Sequence, residues 1–169
     1  TYFNAMPFNN SNRSRSVREN GKLYDNHEYI NKVRMLLQAY ANNDLETMYS
    51  FYDEDARFSN IHMDAGESIS LEESKEGDKK FLEQFEVNSI DDRGYPDYLN
   101  YERGDGKVVQ SWWTVKLTRK ADNQKLEVPI FFLHDFNDEG MIESESAYFS
   151  AKRLEYKSEE KTESKSESK

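Results

Sequence analysis

Apolar residues in the first half of the chain recur at the spacing of amphipathic helices. Residues 28–41 place five of them on one helical face: Ile30, Val33, Leu36, Leu37 and Tyr40. A shorter stripe follows: Leu45, Met48, Tyr49 and Tyr52. Asn43 is positioned to cap this second stripe, with Glu46 three residues further on. The spacing predicts two consecutive helices joined by a tight turn.

A third helix is predicted to begin at Ser70. Glu73 lies three residues further on, so the two side chains can form a capping box. The later half of this helix is expected to bury Phe81, Leu82 and Phe85.

The other apolar runs follow the shorter period of strands. A first strand, Ala56–His62, is predicted directly after the second helix. Further candidates are Val87–Arg93, the Pro-interrupted stretch Tyr95–Tyr101, and three longer runs at 108–119, 126–136 and 141–150. The short polar links 121–125 and 137–140 between the last three are typical of antiparallel hairpins. Helices followed by a meander predict an α+β fold rather than a parallel sheet.

The two ends of the chain differ in composition from this central part. Residues 1–26 show no sustained period and are rich in Asn, Ser and Arg, so we expect a flexible N-terminal arm. The alternative is that Tyr2, Phe3 and Phe8 attach this arm to the body. Residues 157–169 would place like charges at i,i+4 in a helix, so we expect a solvated tail. The domain itself is predicted to span residues 27–156.

The net charge of −10 is concentrated in this central domain. Residues 1–26 carry four basic and two acidic side chains, and residues 157–169 carry four of each, which leaves −12 for the rest. Such an acidic body repels phosphate backbones and anionic membranes, so nucleic acid is not an expected partner. No stretch has the length and apolarity of a membrane span.

The absence of cysteine excludes disulfides, thiolate metal sites and a cysteine nucleophile. The chain begins with Thr1 rather than Met, as after removal of a signal peptide. These two observations favour an extracytoplasmic protein over a cytoplasmic one. The sequence contains no phosphate-binding glycine loop and no His-Glu-x-x-His motif, and no cofactor is expected.

Two segments resemble a known superfamily. The segment Tyr40–Phe58, YANNDLETMYSFYDEDARF, is similar to the opening of nuclear-transport-factor-2-like (NTF2-like) proteins: helix, small-polar-Asp-Leu, helix, acidic turn, strand. The closing hairpin HDFNDEGMIESESAYFS resembles their usual ending, F-x-x-G-x-I-x-x-x-x-x-Y/F. The resemblance covers residues 28–155 and is to the SnoaL-like type. It implies a cone, in which a curved, mostly antiparallel sheet has three helices packed on its concave face and closes on a pocket.

Members of this superfamily include ketosteroid isomerases, dehydratases, polyketide cyclases and domains that bind ligands or associate. The resemblance places Leu36, Asn60 and Phe132 where the isomerases have a tyrosine, a general-base aspartate and a proton-donating aspartate. Because all three roles are missing, ketosteroid isomerase chemistry is not expected. The resemblance instead implies a domain that binds a small, partly apolar molecule in its pocket.

The same matching indicates which side chains face this pocket. The implied pocket residues are Leu36, Tyr40, Phe58, Asn60, His62, Trp113, Val115, Phe132 and Phe149. In the long strand 108–119, Ser111, Trp113, Val115 and Leu117 would face inward, and Trp112, Thr114 and Lys116 would face outward.

The closing hairpin supplies a candidate catalytic group. If Asn137 and Gly140 flank its turn, His134 faces Glu143, and Glu145 lies nearby on the same side of the sheet. An imidazole beside these carboxylates could serve general acid–base catalysis, as in a cofactor-independent lyase or isomerase. The alternative is that His134 and Glu143 form an ordinary cross-strand pair.

Two other features leave alternatives open. His62 and Asp64 could bind a metal ion, but two ligands without a third more often belong to a polar loop, and no metal site is predicted. An outward Trp112 indicates a homodimer through the outer sheet face, unless a tail covers it. The sequence therefore leaves three functions open: binding of a small molecule, catalysis by His134 with a glutamate, and association.

Overall fold

The computed structural model describes residues 6–9 and 19–155. The elements in these ranges are β1 (Met6–Asn9), β2 (Glu19–Tyr24), α1 (Glu28–Ala41), α2 (Leu45–Tyr49), β3 (Tyr52–Asn60), β4 (Ile69–Ser70), α3 (Leu71–Gln84), β5 (Phe85–Asp92), β6 (Asp97–Tyr101), β7 (Lys107–Arg119), β8 (Gln124–Phe136), β9 (Ile142–Phe149) and a short 3-10 turn, Ala151–Arg153.

Two helices begin where the sequence predicts: α1 at Glu28, as its apolar period indicates, and α3 after its predicted cap, Ser70. Nδ1 of His27 accepts a hydrogen bond from the backbone N–H of Tyr29 at 3.2 Å and caps α1. Ser70 caps α3: its Oγ accepts from the backbone N–H of Glu73, and the Glu73 carboxylate accepts from that of Ser70. The predicted capping box is thus confirmed.

The second helix is shorter than its apolar stripe predicts. α2 ends at Tyr49, and Tyr52 already opens β3. Its N-cap is Asp44, which accepts a hydrogen bond from the backbone N–H of Thr47 at 3.0 Å, and the predicted cap at Asn43 is wrong. Asn43 instead has a φ of 59° in the turn after α1. Asn tolerates this left-handed conformation because its short side chain bonds locally.

The strands form one curved, unclosed sheet in the order β1-β2-β6-β7-β8-β9-β3-β4. β5 lies off this path, because β6 pairs with the first half of the long β7 and β5 pairs with its second half. All of these pairs are antiparallel except β3 with β9. The architecture is the predicted α+β cone.

The helices cover the concave face of this sheet. The main core joins Val33 and Leu36 of α1 to Trp113 of β7 and Phe132 of β8. Along β7, the predicted alternation is confirmed: Ser111, Trp113 and Leu117 are buried, whereas Trp112 is 41% exposed on the other face. No helix in the described ranges is long and apolar enough to cross a membrane.

Residues 6–9 and 19–24 lie in strands, within the segment 1–26 whose composition predicts a flexible arm. β1 and β2 form an antiparallel pair, and β2 continues the sheet by pairing with β6. This pairing joins backbone N–H and C=O groups of β2 to those of β6. Because every residue carries such groups, a strand of this kind needs no apolar periodicity. Residues 1–5 and 10–18, with Tyr2 and Phe3, lie outside the described residues, as does the predicted tail 157–169.

The register of the closing hairpin also differs from the prediction. His134 lies opposite Glu145, not Glu143, and Phe132 lies opposite Ala147. Two extra residues cause the shift. The first is Met141, to which the turn extends; its backbone N–H donates to Oδ1 of Asn137. The second is Glu143, which has no cross-strand partner because Asp135 pairs with Ser144 and Phe136 pairs with Ile142. A shift of two residues preserves the face of the sheet, because side chains alternate with a period of two.

Candidate binding cavity

A cavity of about 430 Å³ lies between the concave sheet face and the helices α1 and α3. Most of its wall is apolar. Its aliphatic and aromatic lining includes Leu36 and Tyr40 of α1, Phe58 of β3, Phe81 of α3, Ile90 of β5, Val115 and Leu117 of β7, Val128, Ile130 and Phe132 of β8, and Phe149 of β9. A volume of this size is within the range of cavities that accommodate small organic molecules.

Asp78 of α3 is one of two charged side chains that line the cavity. The hydroxyl of Tyr49 donates to its Oδ2 at 2.5 Å, and the hydroxyl of Tyr40 donates to its Oδ1 at 3.2 Å. The Tyr49 oxygen also lies 3.1 Å from Oγ of Ser74, one turn before Asp78 on α3. These bonds connect α1, α2 and α3 at the wall of the cavity.

Glu145 of β9 is the other charged residue of the lining. Its Oε2 accepts a hydrogen bond from the hydroxyl of Tyr52 and lies 3.0 Å from Nε2 of His134. His134 itself is completely buried and lies outside the lining of the cavity, behind Glu145. The histidine therefore orients Glu145 and does not face the cavity.

The pKa of Asp78 is raised by its surroundings to about 6. Burial is the largest cause and the negative charge of Glu145 adds to it, while hydrogen bonds from Tyr49 and Tyr40 act in the opposite direction. Burial also raises the pKa values of Tyr40, Tyr49 and Tyr52 above their usual range, and the neighbouring carboxylates add to this. The tyrosines therefore stay neutral donors, and Asp78 is the group that titrates near neutral pH.

Seven of the nine predicted pocket residues line the cavity: Leu36, Tyr40, Phe58, Asn60, Val115, Phe132 and Phe149. The other two do not. Trp113 is buried in the main core, deeper than the cavity wall. His62 is exposed after β3, where its Nε2 lies 3.2 Å from the backbone oxygen of Phe149.

The predicted pairing of His134 with Glu143 is wrong. Glu143 is exposed on the hairpin, and the partner of His134 is Glu145. The cause is the two-residue register shift of the turn, which no local sequence signal shows. Of the three predicted catalytic residues, only Glu145 lines the cavity.

Asp78 is the functional candidate that the sequence interpretation missed. On α3 it follows Ser74 by four residues and precedes Phe81 by three, so it lies on the same helical face as the apolar residues. This placement is the signal that could have identified Asp78, because a charged side chain on the buried face of a helix is rare unless it is paired or has a function. In the described part of the chain, no three His, Asp or Glu side chains lie close enough together to hold a metal ion.

Comparison with solved structures shows the class of fold. An LEH-like epoxide hydrolase from M. tuberculosis superposes with a TM-score of 0.56 at 16% identity, over 75% of this chain and 86% of that one. SalBIII, an epoxide hydrolase/cyclase-like enzyme of pyran ring formation in the polyether salinomycin, gives a TM-score of 0.60 at 13% identity, over 75% and 93% of the two chains.

A third similar structure, from Xanthomonas campestris pv. campestris and described as a candidate polyketide cyclase, gives a TM-score of 0.59 at 13% identity, over 77% and 96%. No protein-family model matches the sequence, and no curated protein matches it. At these identities the similarity shows the fold alone. The chain therefore has the α+β cone fold of the NTF2-like type.

Proposed function

We propose that this domain binds a small, partly apolar molecule in its central cavity, with the polar end of that molecule at Asp78 and Glu145. The observation that carries the proposal is the lining: an apolar wall around about 430 Å³, with its two charged side chains held in place by tyrosine hydroxyls. Burial of apolar ligand surface supplies affinity, and a few oriented polar groups supply specificity. Epoxide hydrolysis and pyran ring formation, the chemistry named for two of the similar structures, also concern small molecules.

Gly77 offers a way to test this proposal. It lies in α3 at the cavity wall, and a Cβ added there would contact no atom within 4 Å. Gly77→Trp should therefore extend an indole ring over the cavity without a backbone clash, while Gly77→Ala adds only the Cβ. Binding of 1-naphthylmethanol would be measured by isothermal titration calorimetry for the wild type and both variants.

We expect the wild type and Gly77→Ala to bind this neutral probe alike, and Gly77→Trp to bind it at least about tenfold more weakly because the indole occupies the same space. Equal affinity of Gly77→Trp and Gly77→Ala would place the probe elsewhere and contradict the proposal. Absence of binding to the wild type would contradict it as well.

Acid–base catalysis on the bound molecule is the second candidate function, and the pKa of about 6 at Asp78 is the observation that favours it. A carboxylate with such a pKa can remove a proton from a bound molecule near neutral pH and return it at another position, as in an isomerase. His134 would act here as a positioning residue for Glu145. The test follows the exchange of the α-protons of 2-tetralone in D₂O by NMR. Faster exchange with the wild type than with Asp78→Asn would support catalysis, and equal rates would exclude it.

Association through the outer sheet face is the third candidate. Trp112, Phe131 and Tyr148 lie opposite one another on β7, β8 and β9, with ring centroids 4.9 Å and 5.7 Å apart. Trp112 and Tyr148 are 41% and 43% exposed, so this aromatic row is available to a second copy of the chain.

A further inference from the structure

The charges of the residues that line the cavity indicate the class of ligand more closely than the volume of the cavity does. Among the described residues that line the cavity there is no Lys, Arg or His, and the two ionisable side chains, Asp78 and Glu145, are both acidic. Arg119, a buried cation of β7, lies outside the lining and pairs with Asp122 at 3.1 Å. Lys75 pairs with Glu72 and lies over the ring of Tyr49, also outside the lining.

From this we infer that the ligand is an amphiphilic cation, an apolar body with a protonated amine, whose ammonium group lies between Asp78 and Glu145. The inference rests on the proposed binding function and names the chemical class of the ligand. An anionic ligand would add a third negative charge to a space that already contains two, at a high desolvation cost.

The hydrogen bonds at the two carboxylates leave acceptor positions free and engage the hydroxyl protons of the tyrosines that hold them. Each oxygen of Asp78 accepts one tyrosine hydroxyl, although a carboxylate offers about four acceptor positions in all. Both contacts of Glu145 within the described residues end on Oε2, which leaves Oε1 available. The Tyr40 and Tyr49 protons are directed at Asp78 and are not available to a ligand. A group that only donates hydrogen bonds, such as an ammonium, matches this arrangement.

His134 does not cancel the charge of Glu145 in this arrangement. Its Nε2 lies 3.0 Å from Oε2, whereas its buried Nδ1 has no hydrogen-bond partner among the described residues. An imidazolium would leave a buried N–H unsatisfied at Nδ1, which is costly. The neutral ring with its proton on Nε2 leaves no donor unsatisfied and adds no positive charge beside Glu145.

The rest of the lining favours an organic cation over a metal ion. Metal ions such as Ca²⁺ take six to eight oxygen ligands, and the wall supplies two carboxylates, with Tyr40, Asn60 and Ser74 as its other polar side chains. Five aromatic rings line the same space: Tyr40, Phe58, Phe81, Phe132 and Phe149. Aromatic faces attract a weakly hydrated organic cation and also bury its apolar body.

A series of three probes with the same ring system and different charge tests the inference. The probes are 1-naphthylmethylammonium, 1-naphthylmethanol and 1-naphthoate, titrated calorimetrically into the wild type at about pH 7.5, where Asp78 is ionised. We expect the ammonium to bind about tenfold more tightly than the alcohol, because its hydrogen bonds to the carboxylates are charge-assisted, and the carboxylate to bind most weakly.

Asp78→Asn and Glu145→Gln should each reduce the preference for the ammonium over the alcohol, and the double variant should abolish it. Glu143→Gln is the matched control: it removes one negative charge from the same strand at an exposed position, and the preference should stay unchanged. Circular dichroism of each variant confirms that it is folded.

The outcomes separate this inference from the proposed function. If the alcohol binds and the ammonium has no advantage, or if the naphthoate binds best, the ligand class is wrong and the binding function stands. If Glu143→Gln lowers the preference as much as Asp78→Asn does, general charge attraction explains it, and the site between Asp78 and Glu145 is wrong. If no probe binds, both proposals fail.

Discussion

Asp78 on α3 and Glu145 on β9 bring two carboxyl groups to the wall of one cavity. Each is held by a tyrosine of the α1–β3 region, Tyr49 for Asp78 and Tyr52 for Glu145, and the two tyrosine rings lie 5.8 Å apart. The negative charge of Glu145 contributes to the raised pKa of Asp78. A folded domain that maintains two such charges in an apolar space is less stable than it would be without them, which is a frequent property of binding and catalytic sites.

Replacement of Asp78 by Asn should stabilise the protein at neutral pH. The folded-state pKa of about 6 lies above the usual value of 3.8, so the folded state binds the proton more tightly than the unfolded chain. The resulting stability is present below about pH 4 and is lost as the pH rises through about 6. Asp78→Asn should thus raise the free energy of unfolding by roughly 2 kcal/mol at about pH 7.5 and not at about pH 4.

Urea unfolding at several pH values measures this difference, with Glu143→Gln as an exposed control that should change stability little at either pH. A loss of stability in Asp78→Asn of equal size at both pH values would mean that the hydrogen bonds from Tyr40 and Tyr49, and not the charge, dominate.

The affinity for an ammonium probe should rise with pH around the pKa of Asp78. The groups that face Asp78 are Tyr40, Tyr49 and Ser74, which stay neutral, and Glu145 with its partner His134. As Asp78 loses its proton near pH 6, the attraction for 1-naphthylmethylammonium increases, while that for 1-naphthylmethanol does not. Calorimetric titrations between about pH 5 and 7.5 measure the two profiles. Asp78→Asn should flatten the ammonium profile, and an unchanged profile in this variant would assign the dependence to another group.

His134 should contribute strongly to stability, although it does not face the cavity. His134→Ala removes a completely buried ring and leaves Oε2 of Glu145 with one partner fewer, so we expect a loss of about 3 kcal/mol in the free energy of unfolding. His62→Ala, at an exposed histidine on the end of β3, should cost less than about 0.5 kcal/mol. Denaturant unfolding distinguishes the two, and a similarly small effect at both positions would contradict the role given to His134.

Self-association, if it uses the outer sheet face, should depend on the aromatic row. Trp112→Lys places a charge at the β7 end of this row and should shift a dimer to the monomer in sedimentation velocity experiments. Met35→Lys is the control, because Met35 is 58% exposed on α1, which covers the opposite, concave face of the sheet. A wild type that is monomeric at high concentration would exclude the homodimer, and equal dissociation by both variants would assign the interface to another surface.

Local patterns predicted those features that depend on local interactions. The 3.6-residue period predicted α1, and the Ser70–Glu73 capping box predicted the start of α3, because both signals come from residues close together in the sequence. The alternation along β7 predicted which of Ser111 and Trp112 faces inward, since the direction of each side chain is a property of the strand itself.

Features that depend on the pairing of distant segments could not be predicted in this way. The predicted register of the closing hairpin is wrong by two residues, because the extended turn at Met141 and the irregularity at Glu143 are not visible in the pattern of apolar residues. β2 shows no apolar periodicity, because backbone hydrogen bonds to β6 hold it in the sheet. Every residue carries these backbone groups, so the pairing could not be predicted from the side chains.

The sequence by itself thus determined the helices, the alternation of the strands and, through resemblance, the cone-shaped fold, since these follow from the order and periodicity of residues along the chain. Only the tertiary structure decided which polar groups meet. Asp78 and Glu145 are 67 positions apart in the sequence and share a largely apolar cavity because α3 packs over the sheet. The meeting of the two carboxyl groups and the raised pKa of Asp78 both result from that packing.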